Sequence, residues 1–70
     1  MNGWKKIYES TNPFKLELAK AYLLDEHQIN AVVLNKRDSS YLIGKSELYV
    51  HLQEATLAQF MLENESGIDL

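Results

Sequence analysis

Apolar and polar positions along the 70-residue chain fall into five blocks. From Lys5 to Ser10, the β-favouring Ile7 and Tyr8 stand between polar neighbours and predict a first strand. Asn12 and Pro13 then form a helix start: the asparagine side chain can cap, and proline fits the first helical position, where its missing N–H costs nothing. Residues 14 to 27 predict the helix itself. At roughly 100° per residue, Phe14, Leu16, Leu18, Ala19, Tyr22 and Leu23 cover one broad arc, with Glu17, Lys20 and His27 opposite and Leu24 stranded among the polar positions. Ile29 to Asn35 predict a second strand that is apolar on both faces, with Ala31 and Val33 on one and Val32 and Leu34 on the other. Ser46 to Leu52 alternate, with Leu48, Val50 and Leu52 facing one way and Glu47, Tyr49 and His51 the other. A second helix is expected from about Glu54 to Glu65, its polar stripe of Thr56, Gln59 and Glu63 opposite Leu57, Ala58, Met61 and Leu62. Gly67 is placed to end it in a left-handed cap, with Ile68 folding back.

The order β-α-β-β-α narrows the topology. The first and third strands are expected side by side and parallel, the second pairing antiparallel with the third as a hairpin, and both helices on one face. That is an α+β, ferredoxin-like half-sandwich lacking a final strand, in a single domain over residues 1–70. Leu18, Leu23, Val50 and Leu57 are expected in its core. The other sheet face would carry Tyr49, His51, one apolar set of the second strand and Tyr8 or Ile7. For the first strand, Trp4–Lys6–Tyr8 and Ile7–Glu9 both remain open as the inner set.

The run "AVVLNKRDSSY" before a short polar turn and "ELYVHL", with "NPFKLELAKAYL" upstream, resembles a small bacterial family described as prokaryotic signal-transducing proteins. The resemblance spans about Lys6 to Leu62. It implies a fold similar to the PII-type nitrogen-regulatory proteins, which carry a long regulatory loop between their second and third strands. Here that connection is shorter and has no matching nucleotide-binding pattern, and the resemblance brings no catalytic residue with it.

Composition changes this picture mainly by exclusion. The absence of cysteine removes disulfides, thiolate zinc sites and thiol catalysis. A net charge of −3 argues against general nucleic-acid binding, although Trp4, Tyr8, Tyr22, Tyr41 and Tyr49 could otherwise suggest base stacking. The longest apolar run, Ala21 to Leu24, is far short of a membrane span, and the N-terminus has no apolar segment of a secretory signal, so a cytoplasmic setting is expected.

Two candidate contact surfaces remain. In the loop of residues 35–45, Asn35, Lys36, Arg37, Ser39 and Ser40 could hold an anion, Arg37 giving the bidentate contact and Tyr41 an aromatic anchor. A plain polar hairpin loop is the alternative, since Asp38 sits in its middle and no glycine-rich turn opens a helix there. His27 and His51 lack a second histidine at ligand spacing, so neither a metal nor any other cofactor is expected. The carboxylates Asp25 and Glu26 and the two loop serines form no catalytic constellation. The expectation is a non-enzymatic regulatory or interaction module, using the loop and the open sheet face to meet a protein partner. It would act as a homodimer with Tyr49 central and His51 towards the rim. The alternative is a sensor of an anionic metabolite.

Overall fold

The computed structural model describes residues 2–35 and 44–70. The order is β1 (Trp4–Ser10), α1 (Pro13–His27), β2 (Ala31–Asn35), β3 (Ser46–His51), a single 3-10 turn (Leu52–Glu54) and α2 (Ala55–Asn64). The result is an α+β arrangement of a three-stranded antiparallel sheet, in the order β1-β3-β2, and two helices.

Helix α1 begins as its sequence requires. The Asn12 Oδ1 accepts the Phe14 N–H at 3.1 Å, satisfying one donor that the helix cannot, and Pro13 follows at once. It ends at Gln28, whose φ of 55° lies in the left-handed region. The N–H groups of Gln28 and Ile29 close on the Leu24 and Leu23 carbonyls, at 3.1 and 3.0 Å. That reversal delivers Ile29 into the core. Helix α2 stops at Asn64, with the Glu65 and Ser66 N–H groups both meeting the Met61 carbonyl. Gly67 is left-handed at φ 74° and Ile68 packs back against the core.

Strands β1 and β3 run antiparallel, not parallel as the element order suggested. Helix α1 returns the chain so that β2 resumes the direction of β1. The hairpin then reverses it, and β3 slots between the two, opposed to both. A second correction concerns β1. Lys6 pairs with Tyr49 and Tyr8 with Leu48, so Ile7 is an extra residue in a bulge. The bulge turns both Ile7 and Tyr8 towards the helices. Ile7 is buried, its carbonyl accepts the Gln59 side-chain amide at 3.2 Å, and the Tyr8 hydroxyl donates to Glu63 of α2 at 2.9 Å. Neither residue therefore reaches the open face. Neither proposed inner set is correct, because one inserted residue breaks the alternation on which both rested.

The core lies between the inner sheet face and both helices. Leu16 and Leu23 of α1, Leu48 and Val50 of β3 and Leu62 of α2 are its largest fully buried side chains. Each such burial is worth roughly 1.5–3 kcal/mol. Leu23 and Val50 are buried as expected, but Leu18 and Leu57 are not. Helix α1 meets the sheet through Leu16, Ala19 and Leu23, and α2 through Ala55, Ala58 and Leu62, each at one edge of the apolar arc read from the sequence. The opposite edges turn outward. The small Ala19, Ala55 and Ala58 decide this, because they let the helices approach the sheet closely, as bulky residues could not.

Candidate functional site

The face of the sheet opposite the helices is covered by no described element, and β3 builds its centre. Ser46, Leu48 and Val50 point inward, so Glu47, Tyr49 and His51 must point out. Register then fixes their neighbours. Trp4 stands across from His51, Lys6 and Val32 flank Tyr49, and Glu9 and Leu34 flank Glu47.

At one end Trp4 and His51 stack, with ring centroids 4.0 Å apart and planes tilted by 30°. Both rings are half-buried although no described element lies above them, because each shields the other. At the other end Glu9 and Glu47 face one another across the ladder, an unfavourable pairing taken alone. Lys6 bridges them, its Nζ 3.2 Å from Glu9 and 3.4 Å from Glu47, and Lys45 reaches Glu9 at 3.2 Å. The hydrogen bonds of Lys45 and Lys6 hold the Glu9 carboxyl below its usual range, and those of Glu9 and Glu47 hold the Lys6 ammonium above its own. Between the two ends the Tyr49 hydroxyl donates to Glu47 at 2.9 Å, which raises the phenol's pKa. The surface is thus an aromatic patch grading into a balanced charge lattice, with Val32 and Leu34 along its β2 side.

The structure brings together Tyr49 and His51 as expected, and adds Trp4, Lys6 and Glu9, which sequence patterning missed. Their signal was concealed by the bulge: read with strict alternation, Lys6 and Glu9 fall on opposite faces. Of the loop candidates, Lys36, Arg37, Ser39, Ser40 and Tyr41 lie outside the described residues. Asn35 is described, and its side-chain oxygen accepts a hydrogen bond from the buried Ser46 hydroxyl, pinning the β2–β3 pair at the end where the connection between them begins.

Elsewhere the chemistry is already committed. The Tyr22 hydroxyl and His27 Nε2 share a hydrogen bond at 3.0 Å, with the rings edge to face. A cavity of about 290 Å³ lies among Tyr8, Leu62, Glu63 and residues 68–70. The Tyr8 phenol there is pushed up to about 12 by burial and by its bond to Glu63, so it stays protonated, and among the described residues no histidine, serine or lysine lines the space. Among the described residues, no three His, Asp or Glu side chains gather closely enough to hold a metal ion. No helix among them is long and apolar enough to cross a membrane. No protein-family model, curated protein or solved structure matches the chain.

Proposed function

We propose that this protein is a non-enzymatic regulatory or interaction module, on a ferredoxin-like, PII-like half-sandwich, and that its open sheet face binds a second copy of itself. The observation that carries this reading is the Trp4–His51 stack beside Tyr49 and Val32, an aromatic and aliphatic patch on a face that no described element covers. Aromatic residues are enriched in protein interfaces, and here they occupy one end of the face with the charges at the other. The charge lattice also favours self-association over repulsion. Lys6 and Lys45 balance Glu9 and Glu47, so two copies related by a two-fold axis can set ammonium against carboxylate. The resemblance to signal-transducing proteins read from residues 6–62 supports a regulatory role for such a dimer.

Light scattering at micromolar concentration tests the proposal. A dimer mass for the wild type that falls to the monomer mass for Tyr49→Glu, with an unchanged far-ultraviolet circular dichroism spectrum, is the expected outcome. A wild type that is monomeric throughout the micromolar range removes the sheet face as a self-contact.

A further inference from the structure

The helix layer carries a second surface of opposite character. Phe14 and Phe60 are 65% and 54% exposed, and Leu18 and Leu57 are 43% and 49% exposed. Each pair lies one turn apart on its own helix, on the side turned away from that helix's core residues. Helices α1 and α2 touch each other as well as the sheet, and the Tyr22 phenol on the α1 flank feels the charge of Glu65 just beyond α2. The exposed residues therefore lie on the outer sides of two neighbouring helices. Two phenylalanines and two leucines at these exposures offer on the order of 300–400 Å² of apolar surface, within the range of the largest patch on a typical monomer, which is often functional.

The surrounding charge identifies the kind of partner. From Pro13 to His27 and from Leu52 to Leu70 the chain carries seven acidic side chains against only Lys15 and Lys20. Glu17 and Asp25 on α1 are exposed, at helical spacing from Phe14 and Leu18, whereas Glu63 of α2 is turned to Tyr8. A second copy would set like charges face to face, and an anionic membrane would be repelled in the same way. A cationic amphipathic helix meets both requirements, since its apolar stripe covers the exposed phenylalanines and leucines and its lysines or arginines meet the carboxylates. We infer that the outer surface of the helix layer, from Phe14 and Leu18 to Leu57 and Phe60, is a docking surface for a basic amphipathic helix of a partner protein. This surface is on the opposite side of the molecule from the sheet face and stands or falls without it.

The test uses three synthetic peptides of about 18 residues. One has leucine at helical stripe spacing and lysine elsewhere, one has the same composition scrambled, and one has glutamate in place of lysine. Calorimetry with the full chain should give a micromolar Kd for the first, at least about tenfold weaker binding for the scrambled peptide and none for the acidic one. Leu18→Ser and Phe60→Ser leave net charge and the buried core untouched, and each should weaken the first peptide about tenfold while the far-ultraviolet circular dichroism spectrum stays that of the folded wild type. Tyr49→Glu, on the other face, should bind it as the wild type does. Equal binding of the scrambled peptide, or undiminished binding by both serine variants, would reduce the interaction to bulk charge attraction and overturn the proposal. A self-association abolished by Phe60→Ser would overturn it equally, by making the occupant a second copy.

Discussion

Leu16 and Leu18 are two residues apart on one helix, and truncating each to alanine should have very different consequences. Leu16 is fully buried, so its loss removes the transfer free energy of the deleted carbons and leaves a cavity between α1 and the sheet. Buried Leu→Ala changes cost about 2–5 kcal/mol, and about 3 is a fair central figure for so small a core. Leu18 is little more than half covered, and solvent fills whatever its loss opens. Its transfer term scales to about 1 kcal/mol, reduced further by the better helix propensity of alanine. A domain of this length has a total stability of roughly 3.5–10 kcal/mol, so Leu16→Ala removes a large share of it. Urea unfolding followed by circular dichroism is the direct assay. With a slope near 1 kcal/mol per molar for so small a chain, the midpoint should fall by about 3 M for Leu16→Ala and by 1 M or less for Leu18→Ala. Equal or reversed shifts would mean that Leu18 is at least as buried as Leu16, so that α1 does not meet the sheet through Leu16, Ala19 and Leu23 alone. The placement of the helix layer, and its exposed apolar surface with it, would then be wrong.

Three further outcomes are expected. Tyr8 should ionise at about 12 rather than 10.0, so the folded chain keeps a proton that the unfolded chain releases; this part of the stability is intact below pH 10 and is lost as pH rises through about 12. A tyrosinate absorbance titration should lose its most alkaline component in Tyr8→Phe, and an unchanged titration would show that another phenol is responsible. Asn12→Ala should cost about 1 kcal/mol in the same urea assay, because it removes the acceptor of the Phe14 N–H, and no measurable change would mean that water caps the helix equally well. Trp4→Ala and His51→Ala, combined in a double-mutant cycle, should reveal a coupling of ~0.5–1.5 kcal/mol, and additive effects would dismiss the stack as a contributor.

Much of the fold was readable because its signals are local. The cap at Asn12 and Pro13, the alternation of Ser46 to His51 and the polar break after Asn35 each depend on a few neighbouring residues. What was misread depends on comparison between elements. Helix α1 is apolar on two opposed sides, so periodicity shows an arc but not which edge of it meets the sheet; the answer lies in how closely Ala19 allows the two to approach. The direction of β3 relative to β1 follows from counting reversals through a helix and a hairpin, and no residue pattern encodes it. The candidate face was half legible: Tyr49 and His51 follow from the clean alternation of β3. Trp4, Lys6 and Glu9 do not, because the bulge shifts the phase of β1 midway.

That phase shift has a consequence for chain length. A one-residue deletion within a strand ordinarily turns every following side chain to the wrong face. In β1 the effect is reversed. The ladder already matches Lys6 to Tyr49 and Tyr8 to Leu48, so a chain without Ile7 would read as six residues in unbroken alternation against β3, every pair retained. Such a shortened chain forfeits the buried Ile7 side chain and the carbonyl that holds Gln59, and with them part of the anchorage of α2. It keeps Trp4 over His51 and Lys6 between its two glutamates. The first strand can therefore change length by one at this position without altering what the open face presents, while the helix layer behind it bears the whole effect.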